Sequence, residues 1–278
     1  MPRLQRAALP DGRKIWCLHR DEVRGVRAQA EGYWRFGIEV GAGATVFDVG
    51  ANIGLFSLEA ARRGARVHAF EPIPATFAAL EANALEANAR DEKSEKITPH
   101  RLALGAKPET AQFAYFPYLS ALSTRFPDAP KSRSATAITA IFDDVALTPR
   151  AGWFRRAPAP WRRIFIAFWQ KILFSPRLVQ CEVETLSHQI EKLNIDRIDL
   201  LKIDVEGAEW EVLCGISDAR WPLIKQIVAE VHDENGRLNQ FTSQLQARGF
   251  TDLHVEAEPG AGQWDVYLVW ARRAGYSS

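Results

Sequence analysis

The sequence is poor in cysteine. Cys17, Cys181 and Cys214 are its only thiols in 278 residues, and none sits in a Cys-x-x-Cys pair or beside a histidine cluster. That spacing excludes a disulfide framework and the common structural zinc sites, and it suits a reducing compartment. Charge of one sign is also missing. The 35 Lys and Arg balance 34 Asp and Glu, leaving +1, so no global field draws the chain to nucleic acid or to an anionic membrane. Long hydrophobic runs are absent. The most apolar window, 164–174, is interrupted by Gln170 and Lys171 and is far shorter than the roughly 20 residues a span requires. Residues 1–12 hold no apolar core of a signal peptide. The expectation is a soluble, cytoplasmic protein with no stable membrane span. Two glycine signatures are missing as well: neither Gly-x-Gly-x-x-Gly nor Gly-Lys-Ser/Thr occurs after a strand, which argues against a dinucleotide fingerprint and a P-loop.

What remains is an ordinary globular composition, 47% hydrophobic and 25% charged. Residues 1–44 read as an N-terminal cap segment in which Leu9-Pro-Asp-Gly12 is a turn. From Thr45 onward, strands alternate with helices. Strand-like runs fall at 45–49, 66–70, 97–104, 199–203, 226–231, 250–255 and 264–270, and helical runs at 57–63, 74–90, 206–214 and 239–248. The pattern predicts an α/β fold: a mostly parallel seven-stranded sheet, helices on both faces, and a C-terminal antiparallel hairpin strand. This domain would run over 45–278. A helical insertion at about 113–181 interrupts it, and from 145 to 181 that insertion holds seven basic residues and no acidic one, interleaved with aromatics.

Four stretches carry chemistry. In Val46-Phe-Asp-Val-Gly-Ala-Asn-Ile-Gly54 a strand enters a glycine turn and a helix leaves it, the arrangement that brings backbone close to a ligand. Asp48, two residues before Gly50, would repel a pyrophosphate but suits a cationic amino group. Glu71, just after the second strand, is placed to accept ribose hydroxyls. In Leu201-Lys-Ile-Asp-Val-Glu-Gly-Ala-Glu209, Lys202, Asp204, Glu206 and Glu209 crowd the carboxyl end of a central strand, where open α/β sheets bind ligands. Glu230-Val-His232 ends the next strand and can reach the same crevice.

With these residues in hand, the chain resembles the class I, Rossmann-like S-adenosylmethionine-dependent methyltransferases. Phe47-Asp-Val-Gly-Ala-Asn-Ile-Gly54, Phe70-Glu-Pro72, Leu201 to Glu209 and Ala229-Glu-Val-His232 look like the FkbM family in particular. The resemblance implies an O-methyltransferase acting on natural products, sugars or lipids, with S-adenosyl-L-methionine as cofactor. It implies that Asp48, Gly50, Asn52 and Gly54 surround the methionine and ribose, that Glu71 with Pro72 holds the ribose, and that Tyr33 closes over the cofactor. The opening, from Leu9-Pro-Asp-Gly12 to Gly32-Tyr-Trp-Arg-Phe-Gly-Ile38, looks like members from polyketide and peptide pathways. There are two departures. Ser187 stands after Glu184-Thr-Leu where many members have aspartate, and the basic insertion is long.

Methyl transfer to an alcohol needs a base. His232 is the first candidate, with Asp204 as the alternative base or the group orienting it. Lys202 would tune these carboxylates or stabilise developing charge on oxygen, and Glu206 and Glu230 would meet the substrate. Asp204 and Glu206 could also take Mg²⁺, but an isolated Asp-x-Glu is too weak to assign a metal. The acceptor is read as a hydroxyl, free or tethered to an acyl or peptidyl carrier protein that meets the basic insertion. A nucleic-acid methyltransferase is the nearest rival, and a carrier or membrane docking module without catalysis is another. Against the first, two acids occupy the place where base methyltransferases carry Asn/Asp-Pro-Pro-Tyr/Phe, and the chain outside 145–181 is net acidic.

Overall fold

The structure is a computed structural model. It describes residues 3–89, 97–125, 158, 160, 161, 164, 168, 172, 175–258 and 265–275. The central sheet has seven strands. Three lie on one side of its middle: β3 (Thr45–Val49), β4 (Arg66–Phe70) and β5 (Ile97–His100). Four lie on the other: β9 (Leu200–Ile203), β10 (Gln226–His232), β11 (Phe250–Ala257) and β12 (Val266–Arg273). Their order is β11-β12-β10-β9-β3-β4-β5, and only β12 runs antiparallel to its neighbours. The strand order reverses between β3 and β9, and their carboxyl ends form the crevice of such folds. β3, β9 and β10 are buried at every position, as strands covered on both faces must be.

Helices α2 (Leu55–Arg62) and α3 (Pro74–Ala89) follow β3 and β4. Their apolar residues share one core with Val46, Val67, Leu200 and Trp270. On the opposite face, Phe47, Phe70, Leu201 and Val269 pack with Leu213 of α5 (Glu209–Cys214) and Phe241 of α6 (Arg237–Ala247).

Several elements depart from the sequence reading. Residues 1–44 form a hairpin, β1 (Gln5–Ala8) and β2 (Lys14–Cys17), turned at Leu9-Pro-Asp-Gly12, then α1 (Val23–Gly32). Both join the first core through Ala7, Ile15, Cys17 and Val23, so this segment is packed into the domain it was expected to cap. The run read as one strand over 97–104 is two: β5 stays in the main sheet, while β6 (Ala103–Leu104) joins a second, three-stranded sheet. There β7 (Glu109–Tyr115) and β8 (Arg177–Glu184) pair antiparallel. The base of the insertion is therefore β-structure, not helix. Between them, most of the basic stretch lies outside the described residues. Trp161, Ile164, Phe168 and Ile172 are helical, and the first three are exposed. A further helix, α4 (Leu186–Lys192), is capped by Thr185, whose hydroxyl accepts from the His188 N–H. Ser187 accepts a hydrogen bond from the Ser217 N–H on the surface. No helix among the described residues is long and apolar enough to cross a membrane.

The glycine turn after β3 is set by protein packing. A Cβ on Gly50 would lie 1.7 Å from the Asp204 carbonyl oxygen, and its φ is +79°. At Gly54, φ is +88° and a Cβ would lie 2.6 Å from Leu80 Cδ1. Gly50→Ala should destabilise the fold by at least about 2 kcal/mol, from left-handed backbone strain plus overpacking. Gly43→Ala, at φ +81° with no atom near the new Cβ, should cost only the backbone share. Urea midpoints of the two variants measure the difference. Equal midpoints would remove the close approach of Asp204 as the reason for Gly50.

Candidate functional site

A cavity partly open to solvent lies over the carboxyl ends of β3, β4 and β9. Its wall includes Tyr33, Gly50, Asn52, Glu71, Pro72, Lys202, Asp204 and Glu206. Those residues come from the segments that the sequence reading singled out.

Lys202 is the organising cation. Only 3% exposed, it points from β9 toward β3. Its Nζ donates to the Gly50 carbonyl at 2.7 Å and lies 3.1 Å from Asp48 Oδ1 and 3.3 Å from Asp204 Oδ2. Burial alone would lower its pKa, but the two carboxylates hold it above the ordinary lysine value. Asp48 is fully buried, and its other oxygen accepts from the Ser57 hydroxyl at 2.6 Å. Asp48 is therefore committed to Lys202 and Ser57 and is not among the cavity-lining residues; it has no exposed oxygen for a ligand's amino group. Gly54 also lies off the wall, against Leu80. Tyr33 is buried and fixed, its hydroxyl donating to Asp204 Oδ2 at 2.9 Å and its ring edge-on to Phe56. It forms part of the wall and does not fold over as a lid. Burial and the Asp204 carboxylate push its phenol well above the ordinary tyrosine value.

Glu71 is aimed by three donors. Its Oε1 accepts from the Ile73 N–H and the Thr76 hydroxyl, and its Oε2 from the Asn52 N–H at 2.9 Å. A carboxylate has about four acceptor positions, so one on Oε2 remains for a ligand. Burial raises its pKa, partly offset by those donors. Beside it, Asn52 takes a left-handed φ of +51°. Its side-chain Oδ1 is buried without a hydrogen-bond partner. Such an atom is costly unless a donor from a ligand meets it. Pro72 contributes wall, and its carbonyl accepts from the Cys181 thiol.

The acidic end of β9 divides in two. Asp204 and Glu206 face the cavity. Glu209 turns beneath, accepting the Gly207 N–H at 2.7 Å, with His232 Nδ1 3.2 Å from the same oxygen. Burial would raise Glu209, but His232 and the N–H donors hold it below the usual carboxylate range. His232 is 3% exposed and not part of the cavity wall, so a bound acceptor does not reach it directly. Glu230 is equally buried, behind Gln29, whose amide donates to its Oε2 at 2.6 Å. Burial, then the Asp204 and Glu206 carboxylates, push Glu230 well above the ordinary value.

Sequence reasoning passed over several wall residues. Gln29 was missed because α1 itself was not read. Phe113, Ser120 and Arg125 lie in or after a strand that was taken for insertion. Thr76, which is off the wall but donates to Glu71, had a signal in principle: a hydroxyl five residues after Glu71, in the first turn of α3.

Residues 48–278 match the family model described as the methyltransferase FkbM domain. The chain is 34% identical over 243 residues to the 31-O-demethyl-FK506 methyltransferase FkbM of Streptomyces tacrolimicus, covering 87% of this chain and 85% of that one. It is 31% identical to a part of the AMB antimetabolite synthetase AmbE of Pseudomonas aeruginosa, covering 97% of this chain but only 12% of the synthetase. Among solved structures, the FkbM methyltransferase of Methylobacillus flagellatus shares the fold at TM-score 0.50 and 16% identity, over 86% of this chain and 46% of that one. A Rossmann-like sheet with its crevice over β3 and β9, and a family model that spans most of the sequence, lead to one conclusion: the chain belongs to the FkbM methyltransferase family.

Proposed function

We propose that the protein methylates a hydroxyl oxygen of a small natural-product molecule, free or carrier-tethered, using S-adenosyl-L-methionine. The observation that carries the cofactor reading is the buried, unpartnered Asn52 Oδ1 beside the Glu71 carboxylate, both on the cavity wall. A donor from the ligand would satisfy Asn52, and a ribose hydroxyl would take the remaining position on Glu71. Gly50 and Pro72 would line the same pocket, while Asp48 and Gly54 support it from behind. The choice of oxygen is supported by the relative named for methylating a 31-O position. The natural-product class is supported by that name and by the antimetabolite synthetase.

When bound, the cofactor supplies a methyl group on a sulfonium, a leaving group that needs no further activation. The protein's task is then alignment and proton removal. The acceptor oxygen forms a bond to the methyl carbon, the carbon–sulfur bond breaks, and the hydroxyl proton passes to a base. We assign that base to Asp204, which borders the cavity, in preference to His232, which lies behind Glu206. Lys202 and Tyr33 hold Asp204 in place. Glu206 is the second carboxylate facing the acceptor. A carrier protein, typically acidic, would complement the basic stretch 145–181.

Titration calorimetry with S-adenosylmethionine and S-adenosylhomocysteine tests the cofactor site. Wild type should bind, and Glu71→Ala should weaken binding at least tenfold, about 1.4 kcal/mol. No binding by folded wild-type protein would overturn the cofactor reading. A mass-spectrometric screen of hydroxylated polyketide and peptide acceptors tests the reaction. With any acceptor found, Asp204→Asn should lower kcat by about 100-fold or more and leave S-adenosylhomocysteine affinity within a few-fold. Unchanged kcat would remove Asp204 as the base.

A further inference from the structure

Helix α1 presents one face to the cavity. Val26, Gln29 and Ala30 on the helix, and Tyr33 just after it, fall at positions i, i+3, i+4 and i+7, and all four belong to the wall. Two of them are polar, and each holds an acid. Tyr33 donates its hydroxyl to Asp204 Oδ2 at 2.9 Å, and Gln29 donates its amide to Glu230 Oε2 at 2.6 Å. The two acids differ in position. Asp204 stands on the acidic rim of the cavity, whereas Glu230 is off the wall and 3% exposed.

The contact with Glu230 sets which way the Gln29 amide faces. A glutamine amide donates through nitrogen and accepts through oxygen, and a carboxylate only accepts. The nitrogen therefore turns to Glu230. A proton on Glu230, which burial and the nearby carboxylates favour, has its place on Oε1, the oxygen that Gln29 does not use. The other end of the amide, Gln29 Oε1, accepts no hydrogen bond from the described residues and is not a sealed atom. Neighbouring polar groups on this side of the pocket are committed. Ser120 donates both its N–H and its hydroxyl to Glu22, and Arg125 is paired with Glu109. Gln29 Oε1 is left as an open acceptor on the wall. Asp204 offers a second one, because its contacts with Tyr33 and Lys202 both use Oδ2 and leave Oδ1 open. Gln29 and Tyr33 are one helical turn apart, about 5–6 Å between Cβ atoms, so the groups they hold border the same part of the cavity.

We infer that Gln29 is a specificity-determining residue: its Oε1 accepts a hydrogen bond from a second hydroxyl or N–H of the acceptor while the reacting hydroxyl meets Asp204 Oδ1. Glu230 is the positioning residue that fixes the amide. The acceptor class is then a molecule with two donor groups a few bonds apart on an apolar frame, which the wall of Val26, Ala30 and Phe113 suits. An amide oxygen cannot donate, so an analogue that lacks the second donor leaves it unpaired and loses affinity. The role of the reacting hydroxyl rests on the methyltransferase reading of the cavity. The contact at Gln29 does not. Glu230 gains a part in substrate choice without touching the substrate.

The test uses two probes, 1-phenylethane-1,2-diol and 2-phenylethanol, which share a ring and a primary hydroxyl and differ by one donor. Their dissociation constants are measured by ligand-observed NMR on wild type, Gln29→Met and Glu230→Gln, with and without S-adenosylhomocysteine, whose own affinity is measured on the same samples. Wild type should hold the diol about two- to tenfold more tightly than the mono-alcohol. Gln29→Met should bring that ratio to about one and keep 2-phenylethanol affinity within about twofold. In Glu230→Gln the new amide can donate as well as accept, so the Gln29 amide is free to turn and the ratio should fall below that of wild type. A wild-type ratio near one overturns the assignment, as does wild type that binds neither probe at millimolar concentration. A wild-type ratio preserved in Gln29→Met overturns it as well, and one preserved in Glu230→Gln overturns the positioning role. Should Gln29→Met lose its fold, Gln29→Asn decides in its place: it keeps the amide one methylene short, and the ratio should fall there too. Failure of S-adenosylhomocysteine to bind folded wild type, with the diol preference intact, would instead overturn the cofactor reading and leave the Gln29 contact standing.

Discussion

A single buried ammonium ties the site together. Lys202 crosses from β9 to β3 and meets the Gly50 carbonyl, Asp48 and Asp204 in a space from which water is almost excluded. Removing one partner from such a cluster leaves an uncompensated buried charge, which typically costs about 3–5 kcal/mol. The same contacts explain the tight turn. Gly50 must lie close enough for its carbonyl to reach Lys202, and that closeness brings it against the Asp204 carbonyl, where no side chain fits. The two strands at the point where the sheet order reverses are therefore fastened together by charge as well as by backbone pairing.

This fastening sorts the acidic residues by role. Asp48 has one oxygen toward Lys202 and the other on Ser57, which leaves Asn52 and Glu71 to meet a ligand. Asp204 is half committed, to Lys202 and Tyr33, yet still borders the cavity. Beyond it, the left-handed φ of Glu206, +53°, followed by Gly207 at +102°, turns the chain sharply. That turn sends Glu206 to the cavity and Glu209 underneath, although the two are only three residues apart. A regular helix from Glu206 would have set both on one face. The observed helix starts at Glu209, and the turn before it is what separates the two carboxylates.

The parts of the fold that were legible in the sequence are those with strong local signals. β3, β9 and β10 are short, mostly apolar runs, interrupted by Asp48, Lys202 and Glu230 respectively, so their positions emerge from local composition. Glu71 and the acidic end of β9 were legible because topology puts the ends of parallel strands at one edge. The role of Asp48 was not, because its partner Lys202 lies 154 residues away and only pairing of β3 with β9 brings them together. For the same reason His232 was read as facing the acceptor. Its position on β10 is correct, but burial behind Glu206 is a tertiary fact. α1 was missed because its polar and charged residues outweigh its few buried ones, Val23 and Ala30. β7 and β8 were missed because a ladder between segments more than 60 residues apart leaves no local trace.

The cavity wall divides along the same line. The side proposed for the cofactor comes from the turns after β3 and β4, within the stretch shared with the family model. Part of its other side comes from Val26, Gln29 and Tyr33, before that stretch begins, and from Phe113, Ser120 and Arg125 around β7. These residues are mostly apolar or neutral, with Arg125 paired to Glu109. Their side of the pocket would bind an acceptor by shape and buried apolar surface, with few charge contacts to set its position. Orientation of the reacting oxygen would then fall to Asp204 and Glu206, the carboxylates that face the cavity. A family that keeps the rim and the cofactor turns while changing the N-terminal helix and the second sheet could alter its acceptor without rebuilding the chemistry. In this chain the two functions are joined at Gln29, which lines the pocket from α1 and donates to Glu230 behind the rim.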